Sequence, residues 1–159
     1  MTSEQRISAF IQLGTEIYQT FHAPESELNI RQQQLLQLSD RMHHSNGWFT
    51  FENTKHALLG ISFMLKEENI RPWWNQYADQ FPKEKLHAVG VIMAGNIPAV
   101  GFHDFMCVLL SGNKLQAKLS SSDLVLIPAL AAMLCAIQPE FADRIIFTEE
   151  RLPKIDAII

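Results

Sequence analysis

A chain of 159 residues, 47% hydrophobic and 19% charged, is long enough for one domain with a real core. Its formal charge of −4, with no basic cluster, excludes a nucleic-acid surface. Cys107 and Cys135 both lie in apolar helical patterns and read as buried thiols of a reducing cytosol, not as a disulfide framework. The first residues are polar, without the apolar region of a signal peptide, and the apolar stretch 129–137 is too short to span a bilayer. A soluble, cytoplasmic protein is expected.

Ile7, Phe10, Ile11, Ile17, Tyr18 and Phe21 recur at helical spacing, predicting an amphipathic helix over 2–21 with a Thr2/Gln5 capping box, ended by Ala23-Pro24. Leu28, Leu35, Leu38 and Met42 make a thinner stripe, so 27–44 is expected as a mostly solvated helix stopped by His43-His44-Ser45-Asn46-Gly47. Adjacent histidines diverge on a helix, and no metal site is expected there. A third helix starts at Thr50. A fourth carries Ile70, Trp73, Trp74, Tyr77 and Phe81, with Pro72 in its first turn. That aromatic stripe reads as a packing face in preference to a ligand wall.

Phe81–Lys85 is a polar break, and the chain divides there into a helical segment, 1–82, and an α/β unit, 83–159. Val89–Met93 reads as a strand buried on both faces of a parallel sheet. A small-residue turn, Ala94-Gly95-Asn96, leads into an apolar helix over Ile97–Leu110, closed by Ser111-Gly112-Asn113. Lys114–Leu119 is the next strand, and Ser122-Asp123 caps a helix through Ile137 whose first turn is disturbed by Pro128. Arg144–Thr148 and Lys154–Ile159 complete a parallel, Rossmann-like sheet, expected as the beginning of a longer one. An uncovered last strand would favour self-association into a homo-oligomer.

Order of elements places the ligand at the strand-to-helix turns. Asn96 there can either donate to an oxygen that becomes negative during reaction, worth about 3–4 kcal/mol in acyl chemistry, or bond its own backbone. Gly95 lets a ligand approach the main chain. Lys118 ends the next strand, and Ser120, Ser121 and Ser122 supply hydroxyls or a cap. His103-Asp104 is expected to satisfy buried backbone groups or close against a loop. Cys107, one turn later, reads as an inert thiol. No Walker loop, G-x-G-x-x-G or metal-ligand spacing is present.

The stretch V-I-M-A-G-N-I-P-A-V-G-F-H-D followed by A-K-L-S-S-S-D, with N-G-W-F-T-F-E-N at Asn46–Asn53, resembles acyl-CoA reductases of the LuxC type, in the aldehyde dehydrogenase superfamily. The resemblance implies reduction of an acyl-CoA or acyl-thioester to an aldehyde by NADPH through a cysteine thioester. It gives Asn96 the oxyanion, the backbone of Met93, Ala94 and Gly95 the cofactor, and Lys118 the adenosine ribose. Many relatives that use NAD carry K-P-S-E where this chain has Lys118-Leu119-Ser120-Ser121. Without that glutamate a 2′-phosphate meets no like charge and gains a hydroxyl at Ser121. The family's nucleophilic cysteine lies beyond residue 159, so this chain is expected to be an inactive N-terminal part. The alternative is a non-enzymatic α/β module that binds a nucleotide or a protein, or a structural subunit with Trp73, Trp74 and Tyr77 at its interface.

Overall fold

Thr2 begins the first helix as its spacing predicts: the Gln5 N–H donates to Thr2 Oγ1 at 3.2 Å, and the Thr2 N–H to Gln5 Oε1 at 2.6 Å. The structure is a computed structural model and describes residues 1–80, 86–152 and 154–159. Helix α1 (Ser3–His22) is followed by α2 (Ile30–Arg41), α3 (Phe51–Met64) and α4 (Glu67–Asn75). The expected boundary at Phe81–Lys85, Phe81 of the aromatic stripe and Pro153 lie outside the described residues.

Two local readings are corrected in these helices. The glutamine run of α2 is not simply solvated: Gln32 is buried, and its Nε2 donates to the Glu16 carbonyl at 3.1 Å, tying α2 to α1. Helix α4 starts at Glu67, so Pro72 falls in its second turn, where the missing N–H leaves the Glu68 carbonyl without a helical donor. The helix ends three residues later. The aromatic stripe packs as a helix face, as its spacing predicts. Trp74 is buried with Ile70, and Trp73 packs half-covered against the same core beside Tyr77, at 5.5 Å, and His103, at 6.0 Å.

After α4 come β1 (Ala88–Ile92), α5 (Phe102–Leu110), β2 (Lys114–Lys118), α6 (Leu126–Ile137), β3 (Ile145–Thr148) and β4 (Ala157–Ile158). The four strands form one sheet in the order β3-β2-β1-β4, and every pairing is parallel. A helical N-terminal segment followed by a parallel α/β sheet is therefore the architecture, as the sequence predicts.

Phe10 of α1 is the hub between the two parts. Its ring meets Phe102, Phe105 and Phe141 edge-on at 6.3, 6.3 and 5.8 Å, an arrangement that adds about 0.5–1.5 kcal/mol per pair beyond area burial. One cluster of buried residues runs continuously from α1 through α5 and α6 to Val89, Val91, Leu115 and Ala117 of the sheet.

The sheet is not buried on both faces, contrary to the reading of β1 as a doubly covered strand. Side chains alternate along a strand. Leu115 and Ala117 point into the helices, and Gln116 and Lys118 to the other side. On that second face Ile92 is 60% exposed, Ile146 50% and Ile158 58%. Gly90 on this face is closed over by Leu152 and Ile155: a Cβ there would lie 2.8 Å from Ile155 Cδ1. The apolar run of β1 hides this asymmetry, whereas the alternation Lys114-Leu115-Gln116-Ala117-Lys118 in β2 shows it.

Candidate functional site

The rim at the carboxyl end of the sheet is built from two interlocked turns. The Met93 N–H donates to the Lys118 carbonyl at 3.0 Å, so β1 and β2 stay paired up to the residue where the first turn begins. Met93 itself is buried beneath Gly101, where a Cβ would come within 3.0 Å of its Cγ. The chain then leaves the sheet as exposed Ala94, buried Gly95 and exposed Asn96.

Residues 97–101 are turn, not the helix expected from Ile97 onward. The cause lies 24 residues away. Asp123 Oδ2 accepts the Ala99 N–H at 3.2 Å, and Ala99 takes the left-handed backbone conformation, φ 54°. A non-glycine residue there costs about 1–2 kcal/mol, so the surrounding contacts must hold it. The other oxygen, Asp123 Oδ1, accepts the Leu126 N–H at 3.1 Å and starts α6. Burial pushes the Asp123 carboxyl above the usual carboxylate range, and the backbone N–H groups of Leu126, Ala99 and Val125 oppose that shift. One buried carboxylate thus joins the turn after β1 to the turn after β2. Pro128 is accommodated in the first turn of α6, where no helical N–H is needed.

The second turn is locked within itself. The Ser122 N–H donates to Ser120 Oγ at 3.2 Å and the Asp123 N–H to the Ser120 carbonyl at 3.0 Å. It also explains Gly95, because a Cβ on that residue would fall 2.7 Å from Ser120 Cβ and 3.1 Å from Ser122 Cβ. The glycine lets the two turns touch.

Between these turns and the loop after α2 opens a cleft of about 780 Å³. Gly95, Asn96, Ser120 and Ser122 line its sheet side, and Ser45, Asn46, Gly47 and Trp48 the other. Of the residues singled out from sequence, it therefore gathers Gly95, Asn96, Ser120 and Ser122. Met93, Ala94, Lys118 and Ser121 do not line it. Lys118 is half-buried on the open face of the sheet, opposite Ile92 in the β1–β2 register. Among the described residues nothing bonds the Asn96 side-chain amide, so the self-bonded alternative is not adopted. The loop residues Ser45–Trp48 were missed as site residues; the available signal was a tryptophan set in an Asn-Gly turn.

Neither cysteine is a reactive thiolate. Burial and the neighbouring Asp104 push the Cys107 thiol up to about 11, and burial raises Cys135. Cys107 Sγ lies 3.7 Å from His103 Nδ1, yet that histidine is solvent-exposed and stands edge-on to Trp73, not closed against a loop. Among the described residues there is no cluster of His, Cys, Asp and Glu able to hold a metal ion. No helix among them is long and apolar enough to cross a membrane.

Parallel strands ending in two turns around a polar cleft define an α/β protein with its candidate site at the carboxyl edge of the sheet. A family model for acyl-CoA reductase (LuxC) matches residues 24–148, a span that includes both turns and the loop opposite them. The chain belongs to the LuxC acyl-CoA reductase family. No curated protein and no solved structure matches it.

Proposed function

We propose that this chain supplies the first half of the cofactor site, and the oxyanion donor, of an NADPH-dependent acyl-CoA reductase built on the aldehyde dehydrogenase plan. The observation that carries the reading is the Asn96 amide: without a bond among the described residues, solvent-facing, on a turn fixed by Asp123 and Ala99. A fixed donor of this kind stabilises charge only as it develops on a carbonyl oxygen, without reorganising during the reaction.

The donor set suits a phosphorylated dinucleotide. Ser120 and Ser122 line the cleft, Ser121 is exposed beside them, and Lys118 ends the adjoining strand without an ion-pair partner among the described residues. The only carboxylate in this turn, Asp123, faces inward to backbone N–H groups. Within this turn a 2′-phosphate would meet hydroxyls and a cation, the exposed carboxylates next along this edge of the sheet being Glu149 and Glu150, after β3. When bound, the cofactor supplies hydride. Of the cleft wall itself, Gly95 would offer main chain along its path and Asn96 would orient the thioester carbonyl. Met93, Ala94, Lys118 and Ser121, which stand outside that wall, would meet only the part of the cofactor that extends beyond it, Lys118 and Ser121 holding the ribose phosphate. The balance is acyl-CoA, NADPH and a proton giving aldehyde, CoA and NADP⁺. The cysteine that carries the acyl group comes from outside these residues, since Cys107 and Cys135 are held protonated.

The test is acyl-CoA-dependent NADPH consumption by the full-length protein, with residues 1–159 alone giving no turnover. Asn96→Ala should lower kcat by roughly 100-fold or more while leaving the cofactor KM nearly unchanged. Lys118→Ala should raise the NADPH KM more than the NADH KM. Equal kinetics for wild type and the Asn96 variant would remove the oxyanion role.

A further inference from the structure

We propose that Trp48 is a stacking platform for the flat heteroaromatic base of a phosphorylated nucleotide bound in the Asn96 cleft; this rests on the reductase reading. The indole lines the cleft and is 80% exposed, although tryptophan is the residue with most apolar area to lose from water. Among the described residues no ring stacks on it.

The exposure is not slack chain. The Trp48 N–H donates to Asn46 Oδ1 at 3.0 Å, and the Trp48 carbonyl accepts Asn53 Nδ2 at 2.9 Å. Next to it, Phe49 is fully buried, its N–H donating to the Asn46 carbonyl at 2.8 Å. Phe49 anchors the loop in the core while the bonds on either side of Trp48 hold that residue's backbone outward. A loop fixed in this way has already met the ordering cost of binding.

The surroundings select the ligand class. The indole shares its cleft with small polar side chains: Ser45, Asn46, Asn96, Ser120 and Ser122. One aromatic face among several hydrogen-bonding groups matches a base attached to a ribose and phosphates. A protein partner would need a larger contiguous apolar patch at the centre of its contact. Two ligands of the proposed reaction carry such a base, the nicotinamide dinucleotide and coenzyme A.

NADP⁺ and free CoA are titrated separately into the full-length protein, with tryptophan emission as the readout. Within residues 1–159 Trp73 is half-covered and Trp74 buried, so Trp48 is the tryptophan of this segment most open to quenching, and loss of the emission change in Trp48→Phe assigns the signal to it. Quenching is expected with one of the two ligands, which identifies the source of the base. Trp48→Ala should weaken binding of that ligand by about 5- to 100-fold, and Trp48→Phe should restore most of the affinity without the emission change. Because the indole supports no core contact, circular dichroism of both variants should match the wild type. Unchanged affinities for both ligands in the alanine variant would overturn the platform. If NADPH consumption and its loss in Asn96→Ala persist in that case, the reductase reading stands alone. Quenching by CoA or NADP⁺ with no reductase activity would instead leave the platform and remove the reaction.

Discussion

Two glycines mark close approaches in opposite parts of the molecule, and they serve different ends. Gly14 lets α1 lie against α3: a Cβ there would fall 2.6 Å from Leu65 Cβ. Gly95 lets the turn after β1 touch the turn after β2, with Ser120 Cβ 2.7 Å away. The first contact is hydrocarbon against hydrocarbon, where volume decides the energy. The second is a meeting of hydrogen-bonded turns, where direction decides what the Asn96 amide can reach. Changes at the helix seam should therefore appear as stability, and changes at the rim as ligand handling.

The largest effect should come from the seam. Phe10→Ala removes a fully buried ring from three edge-on partners and should cost about 3–5 kcal/mol in urea unfolding. A loss under about 1 kcal/mol would mean that α1 is not what holds the helices to the sheet. Gly14→Ala comes next, at about 1–3 kcal/mol, because the new methyl must displace packed backbone. Gly95→Ala sharpens the contrast. It should weaken NADP⁺ binding or slow turnover at a mild stability cost, since the Ser120 turn must shift to admit the methyl. Losses of stability alone at both positions would erase the distinction between the two regions.

The helical seam was readable because periodicity reports a helix face directly: Ile7, Phe10, Ile17 and the Thr2/Gln5 box all stand where spacing puts them. Strand direction was readable from the alternation of apolar runs with helices. What stayed hidden depends on partners distant in sequence. The apolar run from Ile97 looks helical, and only the Asp123 carboxylate, with Ala99 at φ 54°, shows why the helix waits until Phe102. In the same way, β1 is apolar at Val89, Val91 and Ile92, so its pattern could not reveal that only one face is covered. Trp48 was legible as part of a family-like segment, but its place across the cleft from Asn96 arises from how the helices dock on the sheet.

Asp123 offers a subtler probe of the rim. Asp123→Asn keeps one acceptor oxygen, so either Ala99 or Leu126 loses its partner, at about 1–3 kcal/mol. The wild-type carboxyl is raised by burial, so across the interval between its unfolded and folded pKa the native state binds more protons than the unfolded chain. Its contribution to stability is then greatest below the unfolded value and declines as pH rises through the folded one. The difference in unfolding free energy between wild type and Asp123→Asn should fall with rising pH over that window. A difference that grows with pH would mean that the carboxylate is stabilised, not strained, by its site.

The smallest expected effect is also the one that guards the boundary of the site. Burial and the neighbouring Asp104 push the Cys107 thiol up to about 11, far above neutral, and burial raises Cys135 as well. Alkylation of Cys107 by iodoacetamide should be slow at neutral pH and rise about tenfold per pH unit below that value, following the thiolate fraction, and Cys135 should likewise be slow at neutral pH. Cys107→Ser should leave turnover of the full-length protein unchanged, because the helix that carries it presents a thiol and not a nucleophile. A thiol in residues 1–159 already alkylating at its full rate at neutral pH would reverse this. It would place the acyl-carrying group beside the helices, and His103, 3.7 Å from Cys107 Sγ, would become the first candidate for its base.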